Sequence, residues 1–246
     1  MEKDAHKKSD VAYPMRINKY LALKNYSTRR GADELIGRGL VSINGHKAKL
    51  GDKVGETDTV EIKGSGPKKK YVYFAYNKPR GIITHSPQEG EEDIRGAVAH
   101  APELRGTFPV GRLDKDSYGL IILTNDGRVT DRLLNPKFDH DKEYEVTAQS
   151  ALRPSFKEHM EQGVDIGGYT TKDCKVRIVS TTKFLITLSE GKKHQIRRMV
   201  AALHNTVTGL KRIRVLNIKL ENIPEGEWRA IEGAELKTFL QKLGLE

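Results

Sequence analysis

The chain has 246 residues, a net charge of +10, 37% hydrophobic and 31% charged residues, so it can bury a core beneath a heavily charged, basic surface. A single cysteine, Cys174, excludes an intramolecular disulfide and a thiolate zinc site, and no apolar run approaches the ~18 residues of a membrane span. The polar start, MEKDAHKKSDVAYP, has no signal-peptide core, and the expectation is a cytoplasmic protein with an anionic partner and no membrane association.

Residues 1–14 are polar and aperiodic and read as a disordered arm. From Met15 the pattern turns helical: Ile17, Tyr20 and Leu21, then Ala32, Leu35 and Ile36, recur at i, i+3, i+4, the second set behind an N-cap at Ser27 or Thr28. Gly37 and Gly39 stop that helix, Val41 and Ile43 alternate, Asn44-Gly45 predicts a type I′ hairpin, and Thr59–Ile62 adds a short strand. Residues 15–64 thus form a minimal domain, and the Gly/Ser/Pro/Lys stretch 65–70 reads as a linker to a larger domain, 71–246.

In the larger part, Tyr71–Tyr76 reads as a strand, Asn77–Gly81 as a turn, Gly81–Thr84 as extended and Gln88–Gly96 as an acidic surface loop. Leu120–Thr124 is a strand apolar on both faces, and Asn125-Asp126-Gly127 leads into a helix, Val129–Leu134, ended by Pro136. Glu143–Thr147, Lys175–Val179, Phe184–Leu188 and Ile213–Leu220 alternate as strands. Ile196, Met199, Val200 and Leu203 mark an amphipathic helix, and Ala234–Leu243 a last one. Runs of strands and helices without βαβ alternation predict an α+β fold with an antiparallel-rich sheet.

Charge is concentrated in two places. Residues 1–70 hold 16 Lys/Arg against 9 Asp/Glu, whereas 71–246 hold 27 against 24, and Leu188–Arg214 contains seven basic residues and one acidic residue, Glu190. Such clusters fit phosphate contacts or a solvated charged face, and charge alone leaves both readings open. In FPVGRLDKDSYGLIILTNDG, Phe108–Gly127, a polar turn precedes a buried strand. That arrangement presents Asp114 at a sheet rim, as nucleophile or base or as a turn residue paired with Arg112. In EGKKHQIRRMVAALHN, Glu190–Asn205, the helical wheel puts Arg197 about 100° from Ile196, at the core's edge, and Arg198 about 200° away, facing out. Arg198 and Lys193 are then available to phosphate, whereas His194 reads as a capping or packing residue. No P-loop, G-x-G-x-x-G, G-x-S-x-G or H-E-x-x-H is present, so the expected chemistry uses side chains alone, with no nucleotide cofactor and no metal.

Arg16–Lys63, with RINKYLALKNYSTRRGADELIGRGLVSINGHKA at its heart, resembles the S4 (α-L) RNA-binding domain. Asn77–Gly81 (NKPRG), Gly111–Gly127 (GRLDKDSYGLIILTNDG) and Lys142–Met199, from KEYEVT to GKKHQIRRM, resemble the catalytic domain of RsuA-type pseudouridine synthases. HDKEYEVT and GRLDKDSYGLI bring the chain nearest the RluF-type branch. The resemblance implies a small S4 domain followed by a catalytic domain with a mixed, antiparallel-rich central sheet. It also implies an enzyme that isomerises uridine to pseudouridine in ribosomal RNA, with large-subunit RNA as the expected target and small-subunit RNA as the alternative, without a cofactor. A noncatalytic S4-type ribosome-assembly factor is the alternative of another class.

Residue by residue, the resemblance makes Asp114 the catalytic carboxylate, Arg197 the cation paired with it, and Tyr144 the ring that stacks on the base and acts as a base. Arg112 holds the flipped nucleotide or its vacated place. Arg16, Lys19, Arg29, Arg30, Arg38 and Lys47 in the S4-like part, with Lys192, Lys193 and Arg198, are the remaining expected RNA contacts. The expected partner is ribosomal RNA or a pre-ribosomal subunit, and the expected state is a monomer.

Overall fold

Both residues of the Asn44-Gly45 pair have positive φ, 51° and 81°, the tight-turn geometry whose twist matches the strands it joins. The computed structural model describes residues 13–24, 26–27, 29–63, 70–85, 88–135 and 137–245, and the chain divides into two compact units, Met1–Lys70 and Tyr71–Glu246. The expected arm up to residue 12, Thr28, linker residues 65–69 and Pro136 lie outside the described residues.

The first unit runs β1 (Met15–Arg16), α1 (Ile17–Leu23), α2 (Arg29–Gly37), β2 (Val41–Ile43), β3 (His46–Lys47), β4 (Lys53–Val54) and β5 (Val60–Ile62). Met15 is extended rather than helical because it pairs with Val54 and is buried there, so the helix starts only at Ile17. β2 is flanked by β3 and β5. The Asn44 side chain ties the hairpin to the turn before β5, donating to Asp58 and accepting from the Thr59 amide at 2.9 Å each. Ile17, Leu21, Ala32, Ile36 and Val41, which the helical and strand periodicities pick out, form the core together with Val54, which they do not.

The second unit runs β6 (Tyr73–Lys78), α3 (Ile94–Ala97), β7 (Phe108–Val110), β8 (Tyr118–Thr124), α4 (Gly127–Leu134), β9 (Lys142–Ala148), α5 (Phe156–Glu161), β10 (Lys175–Ile178), β11 (Lys183–Leu188), α6 (Gln195–Ala202), β12 (Val207–Val215), β13 (Ile218–Lys219), β14 (Trp228–Ala230) and α7 (Gly233–Lys242). Among the described residues these strands form one nine-stranded sheet in the order β10-β11-β9-β12-β8-β6-β14, with β13 on β12 and β7 on β8. Every pairing is antiparallel except β12 with β8, where Lys211 lies opposite Tyr118 and Arg212 opposite Gly119. The fold is therefore α+β with a mixed, antiparallel-rich sheet, and its one parallel seam lies at the centre.

The seam is where the core is densest. Leu120 and Ile122 pack with α4 and α7 through Val129, Leu133 and Phe239, whereas Ile121 and Leu123 pack on the other face with Ile94, Val98 and Leu104. All four of these β8 residues are at most 1% exposed, and burial of each contributes roughly 1.5–3 kcal/mol. A third cluster joins β9, β10 and β11 to Phe156 and Met160 of α5 and to Ile196, Met199 and Val200 of α6.

Some elements depart from the sequence pattern. α3 begins inside the acidic stretch 88–96, capped by Asp93, whose carboxylate accepts from the Gly96 amide at 2.9 Å. α5 has six residues, too few for periodicity to register, and is anchored by the buried i, i+4 pair Phe156 and Met160. Ile213–Leu220 is not one strand: β12 ends at Val215, Leu216 turns with φ 53°, and β13 folds back with Ile218 opposite Val215. Among the described residues no helix is long and apolar enough to cross a membrane.

Candidate active site

The turn before β8 is held from below by backbone-directed bonds. Thr84 Oγ1 donates to the Leu113 carbonyl at 2.7 Å and accepts from the Leu113 amide at 3.0 Å. The Ser117 amide closes the turn on the Asp114 carbonyl at 3.0 Å, and the Gly81 amide reaches the Lys115 carbonyl at 2.9 Å. Lys78, at the end of β6 and 0% exposed, donates from Nζ to the carbonyls of Ser117 and Pro79 at 2.8 and 2.9 Å. This anchorage leaves the Asp114 side chain standing out, 43% exposed, at the mouth of a cavity of about 500 Å³.

Arg112, Asp114, Ser117, Tyr144, Lys193 and His194 line that cavity. Tyr144 reaches it from β9, directly opposite Arg212 of β12. The far wall is the entry to α6, where His194 adopts left-handed backbone, φ 52°, a conformation uncommon outside glycine and typical of functional turns. Its Nε2 lies 3.6 Å from Asp114 Oδ1, so the two are within ion-pair distance when the ring is protonated. His194 makes no side-chain cap bond to α6; it neither caps nor packs, and the sequence reading of it is corrected.

Two further expectations change. Arg197 does not pair with Asp114: it donates to the Val207 carbonyl at 3.2 Å and to Ser117 Oγ at 3.5 Å. It flanks the apolar stripe as the wheel requires, but at that phase of α6 the acceptors within reach are β12 and the buried Ser117. It therefore braces the Asp114 turn through Ser117 instead of neutralising the carboxylate. Arg198 does not stand free for phosphate either, because its guanidinium folds back onto the carbonyls of Ile166 and Gly167. Lys193 is exposed on the rim, and Lys192 lies over the Tyr169 ring, Nζ 4.1 Å from its centroid. In the first unit Arg16, Lys19, Arg29, Arg38 and Lys47 are all exposed, whereas the Arg30 side chain lies outside the described positions.

Residues that pattern reading passed over complete the site. Lys78 sits in the quoted NKPRG motif, yet nothing in the motif marks its ammonium as buried. Asp126 of the NDG turn is also fully buried, accepting from Tyr73 Oη at 2.8 Å and from Arg128 Nε and Nη2 at 2.9 and 2.8 Å, so that motif braces the sheet away from the cavity. Cys174 is half-buried and bonds the Met160 carbonyl; burial pushes its thiol up to about 12, which leaves it unreactive at neutral pH. Among the described residues no group of three His, Cys, Asp or Glu is placed to share a metal ion.

Burial holds the Lys78 ammonium down to about 8, against the upward pull of Asp114 and Asp116. Because the folded value is below the ordinary one, the charged form is penalised in the folded state. That penalty is fully present below pH about 8 and is relieved as the pH rises toward ~10.5, where the unfolded lysine also loses its proton. Between pH 8 and 10, wild type should therefore gain about 2 kcal/mol of stability relative to Lys78→Met. Urea unfolding of both proteins at each pH checks this, and parallel pH dependences would refute it.

Comparison with known proteins matches this geometry to a family. The RNA pseudouridylate synthase family matches residues 72–202, and the S4 domain matches residues 15–60. The dual-specificity RNA pseudouridine synthase RluF of Salmonella typhi is 42% identical over 226 residues, 90% of this chain and 77% of that protein. An uncharacterized RNA pseudouridine synthase of Aquifex aeolicus is 36% identical over 242 residues, 94% of this chain and 96% of that one. Ribosomal large subunit pseudouridine synthase B of Bacillus subtilis is 31% identical over 231 residues, 90% of this chain and 94% of that one. Among solved structures, a pseudouridylate synthase crystal structure superposes with a TM-score of 0.66 at 28% identity, covering 93% of this chain and 99% of that chain.

Proposed function

The chain belongs to the RNA pseudouridylate synthase family, with an S4 domain ahead of the catalytic domain, and on that premise we propose that it converts a specific uridine of large-subunit ribosomal RNA to pseudouridine with Asp114 as the catalytic carboxylate. It is an enzyme of the uridine-isomerising class. The finer target follows the Bacillus subtilis relative named for the large ribosomal subunit, whereas the Salmonella relative is named for dual specificity on RNA. The observation that carries the reading is that Arg112 and Asp114, from the turn before β8, and Tyr144, from the separate strand β9, line one cavity.

The chemistry that this cavity supports starts with extrusion of the uridine, since the glycosidic bond is shielded inside a stacked helix; unstacking costs a few kcal/mol. Tyr144 offers the flipped base a ring to stack on, typically ~1–3 kcal/mol, and Arg112 stands at the rim to hold the vacated place. Asp114 either adds to the pyrimidine at C6 or takes the ribose C2′ proton; both routes fit its position. The C1′–N1 bond breaks, the uracil turns within the cavity and C5 bonds to C1′; Asp114 then departs from C6, or returns its proton to C2′, and the C5 proton leaves to Tyr144 or to water. Lys78, Ser117 and Arg197 act as positioning residues that hold the Asp114 turn. The S4 unit, with its exposed cations, supplies RNA affinity by displacing counterions from phosphates. A ribosomal RNA substrate and a single half-buried cysteine both go with a cytoplasmic location.

Position-by-position mapping of pseudouridine in ribosomal RNA, from cells with and without the gene, tests the proposal. One large-subunit uridine should revert in the deletion and be restored by the wild-type gene. An unchanged map would overturn the ribosomal assignment.

A further inference from the structure

Behind Tyr144 the structure holds a second cavity, about 490 Å³, which shares Arg112, Tyr144, Glu190, Gly191 and Lys192 with the first. Three cations that the catalytic steps do not use line this cavity and not the first: Lys172, which is paired with Asp139, and Lys142 at the start of β9 and Arg212 on β12. Arg212 is 5% exposed. Its guanidinium donates from Nε to the Leu120 carbonyl at 2.7 Å and from Nη1 to the Arg112 carbonyl at 3.4 Å, which leaves other N–H donors uncommitted. Lys142 is half-buried and, among the described residues, bonds only the His140 carbonyl, at 3.0 Å. No carboxylate of the described residues lies within 4 Å of Lys142 or Arg212.

The acidic groups that line the cavity, Asp139 and Glu190, are already committed. Asp139 is paired with Lys172 at 2.8 Å. Glu190 accepts from Tyr169 Oη, the Lys172 amide and Gln195 Nε2, at 2.6, 3.0 and 2.6 Å. Burial and the positive charge of Arg212 hold the Lys142 ammonium below its ordinary range, with Asp141 pulling weakly the other way. A buried cation without a counter-charge is costly, and here two stand close enough to repel each other. An anion entering between them would relieve both costs at once and gain charge-assisted hydrogen bonds from each.

We propose that this second cavity is a phosphodiester subsite, in which Lys142 and Arg212 bind the RNA phosphate on one side of the target uridine while the uracil lies against Tyr144 in the first cavity. The shared wall makes this geometry economical, because one nucleotide spans two adjoining cavities. The subsite also gives a role to the HDK of HDKEYEVT, which catalysis leaves without one: His140 and Lys142 set the cation at the cavity's edge. The inference rests on the uridine-isomerising reading of the first cavity.

The test uses full-length protein and the ribosomal stem–loop whose uridine the wild type converts. This RNA is prepared unmodified and with a neutral methylphosphonate at the linkage either 5′ or 3′ to the target. Lys142→Met should bind unmodified RNA about tenfold more weakly, the size expected for one charged hydrogen bond, while Lys142→Arg stays within about twofold. Wild type should bind one of the two methylphosphonate RNAs about tenfold more weakly, and Lys142→Met should show no further loss with that same RNA. Because the neutral-linkage RNA also probes the wild-type protein, the linkage effect does not depend on how well a variant folds. Losses that multiply for both linkages, or a Lys142→Met protein with wild-type affinity, would overturn the subsite. Conversion without coupling would remove the subsite alone, whereas absence of conversion by wild type would remove the reading beneath it.

Discussion

Asp114→Asn protein should bind its RNA as tightly as wild type, or a few-fold more tightly, and form no measurable pseudouridine. The substitution keeps the shape of the side chain and deletes its charge. The carboxylate is 43% exposed and its one ion-pair partner among the described residues, His194 Nε2, is 3.6 Å away, so the fold gives up little when the charge is removed. The turn itself is fixed through the backbone of Leu113, Asp114 and Ser117 and through Lys78, by hydrogen bonds that the change leaves in place. Affinity should hold or rise slightly because a negative charge beside a polyanion is removed.

Turnover should fall by roughly 10⁴-fold or more, the scale seen when a nucleophile or base is deleted, because neither attack on C6 nor removal of the C2′ proton is open to an amide. Single-turnover conversion of saturating RNA, with affinity measured on the same preparation, separates the two effects. A variant that retains a tenth of the wild-type rate would show that Asp114 is a turn residue, the bland reading that its spacing alone leaves open.

How far the site was legible follows the physics of each residue. The strand that carries the turn was readable because Leu120–Leu123 is apolar at every position, and the structure covers both faces of it. α6 was readable because Ile196, Met199 and Val200 recur at helical spacing and are all buried. What a linear pattern cannot carry is the direction of a long side chain. Arg197 has its expected phase but bonds Ser117 and Val207, because its reach allows several acceptors and only the tertiary fold decides among them. Arg212 and Lys78 look like surface charges in sequence; their burial depends on strands brought together from far along the chain. His194 was misread because its role comes from a left-handed backbone turn that periodicity does not encode. Motif resemblance points to Asp114, Tyr144 and Arg112, which the structure brings onto one cavity, and geometry supplies what holds the turn that carries Asp114.

Gly119→Ala should be the most damaging single-methyl change in the catalytic unit. Gly119 lies on β8 at the centre of the sheet, opposite Lys78 of β6 on one side and Arg212 of β12 on the other. A Cβ there would sit 2.4 Å from the Arg212 carbonyl oxygen and 2.9 Å from its amide nitrogen, at φ +98°. The clash is with backbone, which no rotamer change can relieve, so β12 must withdraw from the parallel seam. Positive φ in a residue with a Cβ costs about 1–2 kcal/mol, and overpacking adds roughly 1–3 kcal/mol or more, so a loss of about 4 kcal/mol is expected. For a domain of this size that lowers Tm by roughly 8–16 °C.

Gly226→Ala separates the two causes, since Gly226 has φ +83° but nothing within 4 Å of a Cβ; it should show only the backbone share, about 1–2 kcal/mol. Conversion by Gly119→Ala should also fall below its melting temperature, because the seam carries Arg212 on one side and the Asp114 turn on the other. Thermal unfolding of the three proteins decides the matter. If Gly119→Ala melts within a degree or two of Gly226→Ala, then β12 yields without cost, and the close approach of β8 and β12 is not what holds the Asp114 turn in place.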